Sequence, residues 1–182
     1  MTFQQIRQDL KTKRRLLSQE AQTAAAINVA KQLLQWPLLP KTPAQIAVYL
    51  AHGGELDLGP TIDMLWQQGH HLYLPTLAQD DSLRFARYEK NSALQKNAFG
   101  ISEPMTTDFK NPQDLDMALV PLLAFDKAKH RIGMGKGCYD KTFAFRTHHS
   151  KPLLIGCAYA FQEIPVFEPE AHDIPMDVIL AA

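Results

Sequence analysis

Met117-Ala118-Leu119-Val120-Pro121-Leu122-Leu123-Ala124-Phe125 is followed, after Asp126-Lys127-Ala128-Lys129-His130, by Arg131-Ile132-Gly133-Met134-Gly135-Lys136-Gly137-Cys138-Tyr139-Asp140. The first stretch is an almost unbroken apolar run, the pattern of a strand buried on both faces of a parallel sheet. The second sets three glycines at alternate positions between two cations and an aspartate. Glycine lacks a Cβ, so it tolerates positive φ and lets the backbone approach a ligand closely. Successive N–H groups in such a loop form an anion-binding concavity. Arg131 and Lys136 add charge for phosphate, and Asp140 is an oxygen donor suited to Mg²⁺. Tyr139 to Phe145 has helical potential. Strand, loop and helix in this order place a ligand at the carboxyl edge of an α/β sheet. The glycine spacing matches neither the dinucleotide-binding fingerprint nor the P-loop.

Near the N-terminus, Phe3, Ile6, Leu10 and Leu17 recur at near-helical spacing. Lys11, Lys13, Arg14 and Arg15 fill much of the other face and read as solvated cations, not ligands. Ser18 reads as the N-cap of an alanine-rich second helix that Pro37 stops. Strands are expected at Ile46–Leu50, Leu72–Leu74, Leu83–Tyr88, Leu153–Tyr159 and Val178–Leu180, with a helix from Pro60 to Gln68 closed by Gly69. Lys90 to Asp116 is polar and irregular apart from Phe99-Gly100-Ile101, the pattern of a long surface excursion. Strands alternating with helices predict a three-layer α/β/α domain with a mostly parallel sheet.

A chain of 182 residues with 46% hydrophobic content can bury a substantial core as one domain spanning 1–182. Its formal net charge of zero argues against a nucleic-acid partner. Cys138 and Cys157 are too few for a disulfide framework and lack metal-ligand spacing. His52, His70, His71, His148 and His149 also lack that spacing and read as surface residues. Trp36 and Trp66 fall on helical patterns and read as core. No apolar run approaches the roughly 20 residues that span a bilayer, and the first residues do not resemble a signal peptide, so no membrane association and a cytoplasmic location are expected.

Val120-Pro121 through Phe125-Asp126, with Arg131 to Gly137 and Tyr139-Asp140, strongly resembles the signature of the 5-formyltetrahydrofolate cyclo-ligase family, also called methenyltetrahydrofolate synthetases. Further matches run in order along nearly the whole chain. They are Ile6-Arg7 through Lys13-Arg14-Arg15 to Ser18, Tyr49-Leu50 with Glu55-Leu56-Asp57, Leu74-Pro75, Phe99-Gly100-Ile101 with Glu103-Pro104, and His172-Asp173-Ile174-Pro175. The resemblance implies a CoA-transferase-like α/β fold. It also implies cyclisation of 5-formyltetrahydrofolate to 5,10-methenyltetrahydrofolate with ATP and Mg²⁺ as cofactors, the ATP being converted to ADP and phosphate. The implied partner is that small molecule alone, for a monomer or weak homodimer.

Carried over by position, Arg7 and the run Arg131, Ile132, Gly133, Met134, Gly135, Lys136, Gly137, Cys138 and Tyr139 match the nucleotide-binding residues. Leu50, Glu55 and Met134 to Cys138 match the folate-binding ones. Asp140 and Asp173 match the two Mg²⁺-associated aspartates, and Arg131, Lys136 and Asp140 are the expected catalytic groups. His172 draws attention as the neighbour of Asp173. Two positions depart from the family pattern. Phe3 stands where many members carry lysine, and Cys138 where an aromatic residue precedes Tyr139-Asp140. Lys136 replaces a glycine of many bacterial relatives. The residues leave two other classes open: an ATP-using enzyme with a non-folate substrate, and a binding protein without turnover. Two metal-positioning carboxylates disfavour the second.

Overall fold

The computed structural model describes residues 2–97, 100–146 and 151–182; Phe99, His148 and His149 lie outside the described residues. The chain opens with helices α1 (Phe3–Leu16) and α2 (Gln19–Gln35). Thr2 and Gln5 form a capping box on α1, and Ser18 caps α2 through the Ala21 N–H, as its position in the sequence predicts. There follow β1 (Gln45–Ala47), α3 (Gly59–Gln67), β2 (His71–Leu77), β3 (Leu83–Tyr88), β4 (Leu94–Lys96), β5 (Ser102–Pro104) and β6 (Phe109–Lys110). The second half carries β7 (Met117–Pro121), β8 (Ala124–Phe125), β9 (Arg131–Ile132), α4 (Cys138–Phe143), β10 (Leu153–Ala158) and β11 (Val178–Ala181).

Seven strands form the central sheet in the order β11-β10-β7-β1-β2-β3-β6. Pairings from β11 to β2 are parallel, and β3 and β6 add an antiparallel edge. Helices α2 and α3 cover one face, where Val29, Leu33, Ile62 and Leu65 pack on Ile46, Leu72, Met117 and Ile155. On the other face, Phe143 of α4 and Met176 pack on Ala118, Val120 and Leu154. The mixed α/β architecture with a mostly parallel sheet is therefore as expected. The second helical layer is thin, a single six-residue helix supplemented by irregular chain. No helix among the described residues is long and apolar enough to cross a membrane.

Three departures from the sequence reading bear on the site. The apolar run from Met117 to Phe125 is not one strand. It breaks after Pro121, and Ala124-Phe125 turns out of the sheet into a hairpin with Arg131-Ile132. Two features permit the break. The buried Gln162 donates to the carbonyls of Leu122 and Leu123 at 2.9 and 2.7 Å, replacing lost ladder bonds. Leu122 also passes over Gly156, where a Cβ would lie 2.6 Å from its Cδ2.

The stretch from Lys90 to Asp116 is likewise not irregular, because β4 and β5 form a hairpin and β6 extends the sheet. Finally, β2 runs on through Pro75 to Leu77. The Tyr73 carbonyl accepts the Val48 N–H, so Pro75, two residues on, faces the same edge. Paired β1 residues have ended by then, and the missing proline donor leaves no gap in the ladder. The fanned strand ends leave a space at the carboxyl edge.

Candidate functional site

That space is a cavity of about 730 Å³. Its walls include Arg7, Leu50, Glu55, every residue from Arg131 to Asp140, and Asp173, so the structure gathers all the sequence-predicted site residues around one volume. The hairpin of β4 and β5 adds a wall with Asn97, Ile101, Ser102 and Glu103. Glu103 accepts from Asn97 Nδ2 at 2.8 Å, which fixes the hairpin's inner face.

The glycine loop leaves β9 and enters α4. Gly135 and Gly137 have φ of 100° and 64°, and a Cβ on either would meet nothing within 4 Å. Glycine is required there by the backbone conformation, and the backbone is left open to an incoming group. At the base of the loop Arg131 Nη2 donates to Asp140 Oδ1 at 2.6 Å, with the two side chains only 7% and 9% exposed. The Ile174 N–H donates to the same oxygen at 3.0 Å, which sets Asp173 beside Asp140. Asp173 in turn accepts the Glu170 N–H at 2.9 Å. His172 makes an exposed 3.6 Å pair with Glu170 at the rim. Arg131 Nε is buried without a hydrogen-bond partner, and the guanidinium lies 5.8 Å from the Tyr139 ring centre. Arg7 Nε donates to the Gly133 carbonyl at 3.0 Å, so its visible role is to hold the loop.

The opposite wall is built on the turn from His52 to Glu55. Gly53 and Gly54 both have positive φ, and Glu55 Oε2 accepts the His52 N–H at 3.1 Å. Tyr49 donates its hydroxyl to the Leu56 carbonyl at 2.9 Å, and Tyr159 reaches the Glu55 carbonyl at 3.4 Å. Burial pushes the Glu55 carboxyl above the ordinary carboxylate range, against the opposing pull of the His52 N–H and the Arg14 charge.

Cys138 is half-buried at the start of α4, and burial followed by the nearby Asp81 charge pushes its thiol up. It is a poor nucleophile at neutral pH. Burial likewise pushes the Tyr139 hydroxyl well up, so it remains a neutral phenol.

Arg14 is not a solvated cation, as the helix pattern suggests, but 3% exposed. It donates to the carbonyls of Gly54, Gly53 and His52 at 3.0, 3.1 and 3.4 Å. Lys11 and Arg15 also face the cavity, while Lys13 matches the solvated reading and pairs with Asp9 at 2.9 Å. His70 is buried too, where its Nδ1 accepts the Ala44 N–H at 3.2 Å. Trp36 and Trp66 pack against the core as expected. Of the supporting residues, Arg14 and Tyr49 fall within the family-like stretches without a supporting role being legible there, and Tyr159 and Gln162 carry no sequence signal as such. The adjacent pair Gly53-Gly54 supplies two of the three carbonyls that gather on Arg14.

Among the described residues no group of three or more His, Cys, Asp or Glu side chains forms a ready-made metal cage. Asp140 and Asp173 both line the cavity, joined through the Ile174 N–H that donates to Asp140.

The family model for the 5-formyltetrahydrofolate cyclo-ligase family matches residues 2–182. The 5-formyltetrahydrofolate cyclo-ligase of Escherichia coli strain K12 is 34% identical over 176 residues, covering 94% of this chain and 95% of the relative. That of Haemophilus influenzae is 33% identical over 183 residues, covering 97% and 96%. Among solved structures, the 5,10-methenyltetrahydrofolate synthetase of Aquifex aeolicus superposes with a TM-score of 0.83 at 31% identity, over 100% of this chain and 90% of the other. The synthetase from Mycoplasma pneumoniae, at 23% identity, supports the fold with a TM-score of 0.79 over 98% of both chains. A glycine loop, a buried arginine–aspartate pair and a half-buried glutamate around one cavity, on this fold and with these full-length matches, place the chain in the 5-formyltetrahydrofolate cyclo-ligase family.

Proposed function

We propose that the chain catalyses the ATP- and Mg²⁺-dependent closure of 5-formyltetrahydrofolate to 5,10-methenyltetrahydrofolate, with release of ADP and phosphate. The observation that carries this reading is the pairing of two unlike walls across one cavity. One is an open glycine loop with cations, suited to phosphates, and the other a half-buried carboxylate suited to the N–H edge of a pterin. The nucleotide would supply the phosphoryl group that turns the formyl oxygen, a poor leaving group, into a departing phosphate, and a bound metal would neutralise charge during that transfer. Ring closure then uses the folate's own N10, so no protein nucleophile is needed, in keeping with the thiol state of Cys138.

The protein's share is positioning, charge stabilisation and exclusion of water. Backbone N–H groups of residues 133–137 and the cations Arg131, Lys136, Lys11 and Arg15 hold the phosphates. Asp140 locks the Arg131 guanidinium in place, and the unpaired Nε gives Arg131 a further donor. Glu55 accepts the paired N–H groups of the pterin ring, and Leu50 covers its apolar side.

The residues present fit a magnesium ion that arrives with the triphosphate better than a resident ion. Both bonds to Asp140 fall on Oδ1, and Asp173 is adjacent. Mg²⁺ is commonly held by one or two carboxylates together with phosphate oxygens and water. Asp140 and Asp173 are the residues that would hold it.

The direct test is purified protein with Mg-ATP and 5-formyltetrahydrofolate, with methenyl product followed optically and ADP measured alongside. ADP and product are expected in equal amounts, with little ADP when folate is omitted, because an enclosed site withholds the phosphoryl group from water. ADP release that ignores added folate would overturn the reading in favour of a different substrate.

Cys138→Tyr tests the shared border of the loop. Stacking of a ring on the pterin gains roughly 1–3 kcal/mol, by analogy with nucleobases on aromatic side chains. Overpacking costs a similar amount, about 1–3 kcal/mol, because Cys138 already packs against the core beside α4. The folate KM is expected to move by about one to two decades in either direction with the ATP KM nearly constant. Identical constants for both substrates would remove Cys138 from the folate pocket.

A further inference from the structure

Helix α1 touches both walls of the cavity, and it does so through two arginines seven residues apart. At 3.6 residues per turn that interval is almost two turns, so Arg7 and Arg14 share a face, about 10 Å apart along the axis. Arg7 holds the Gly133 carbonyl of the glycine loop. Arg14 holds the carbonyls of His52, Gly53 and Gly54 immediately before Glu55. Midway between them Leu10 is buried against Leu123, Ala124 and Ile132 at the root of the loop. Only Leu10 and Arg14 of this 14-residue helix are buried, so its placement depends on few contacts, and the arginine bonds at its two stations are prominent among them.

We propose, on the functional reading given above, that α1 is a strut that couples the nucleotide wall to the folate wall, with Arg14 as the positioning residue for Glu55. The Gly133 carbonyl and the Met134 N–H belong to one planar peptide, so an anion that orients the N–H also orients the carbonyl held by Arg7. The helix transmits that constraint to Arg14, whose rigid fork sets the three carbonyls of the turn. Glu55 projects from the end of that turn, and its carboxylate is tied back to the turn's first N–H. A ligand at either wall thereby settles the position of the other. By linkage each must change the other's affinity by the same factor.

The experiment is equilibrium titration of the full chain with 5-formyltetrahydrofolate, alone and with a saturating non-hydrolysable ATP analogue, and then the converse titration. In the parent the analogue is expected to tighten folate by about five- to a hundredfold, with the same factor in the converse experiment. Arg14→Lys keeps the charge but cannot span three carbonyls. It is expected to weaken folate, to bring the coupling factor close to one, and to leave nucleotide affinity in the absence of folate within about twofold. Arg7→Lys releases the other end and should abolish the same factor, although it also weakens nucleotide binding.

A merely structural role for Arg14 would lower stability and both affinities without changing their coupling. An uncoupled parent, or a factor unchanged in either variant, would overturn the proposal. Failure of the parent to bind 5-formyltetrahydrofolate would instead overturn the functional reading itself, and this inference with it.

Discussion

Asp140→Asn is expected to lower turnover by about tenfold to a thousandfold while the protein stays folded, the range seen when one electrostatic stabiliser is removed from an active site. Asparagine retains an oxygen where Oδ1 now accepts from Arg131 and from the Ile174 N–H, so the local bonds survive. The negative charge does not survive. Arg131 loses the counter-charge that fixes it against the loop, and on the proposed reading a metal arriving with the nucleotide would lose a carboxylate. Some loss of stability should accompany the loss of rate, because the pair is buried. Asp140→Leu separates the two effects. It leaves the guanidinium buried with no acceptor, which costs about 3–5 kcal/mol, a large part of a typical total of about 5–15 kcal/mol. That variant is expected to lose its cooperative thermal transition or to melt far lower. Turnover of Asp140→Asn matching the parent across a Mg²⁺ titration would take Asp140 out of the chemistry.

Glu55→Gln is expected to raise the folate KM by roughly tenfold to a hundred-and-fiftyfold with little change in the ATP KM. The range corresponds to loss of a charge-assisted hydrogen bond worth about 1.5–3 kcal/mol. Glutamine still accepts the His52 N–H, so the turn keeps its shape, but it cannot offer two equivalent anionic oxygens to a pair of N–H donors. The pH dependence follows from the raised pKa of Glu55. As pH falls through that raised value the carboxylate is lost, so the folate KM of the parent should climb on the acid side, earlier than for an ordinary carboxylate. Glu55→Gln should abolish this acid limb. The effect on folding has the opposite sense. Because the folded state binds this proton more tightly than the unfolded chain, the contribution of Glu55 to stability is fully present below the unfolded pKa. It is lost as pH rises through the folded one. A folate KM that is equal in parent and variant at every pH would show that Glu55 does not touch the folate.

Much of the site was legible in the linear sequence because its chemistry is local. The alternate glycines between Arg131 and Asp140 announce a backbone that must take positive φ, and Gly135 and Gly137 do so. Ser18, the stop after the second helix and Gly69 punctuate the chain by residue conformational preference, and the helices end within a residue or two of those signals. The matching of Leu50, Glu55 and Asp173 to the resemblance placed them in one site, and all three border the same cavity.

The helices, the parallel strands with β3, and the glycine loop follow from the local sequence, since each depends on dihedral preferences and periodicities within a few residues, whereas β4, β5, β6 and the β8–β9 hairpin were not legible there. The tertiary structure alone decided how polar groups are satisfied at a distance. The run from Met117 to Phe125 looks like one buried strand, and its break depends on Gln162, some forty residues later, meeting two stranded carbonyls. Arg14 looks like a solvated helix cation until the turn at His52 to Gly54 folds onto it, and His70 like a surface histidine until Ala44 lies against it. A buried charge or imidazole is tolerated only where partners from elsewhere in the chain converge on it. That convergence is a property of the packed molecule, which is why the wall that carries Glu55, and the helix that ties it to the glycine loop, came from the structure.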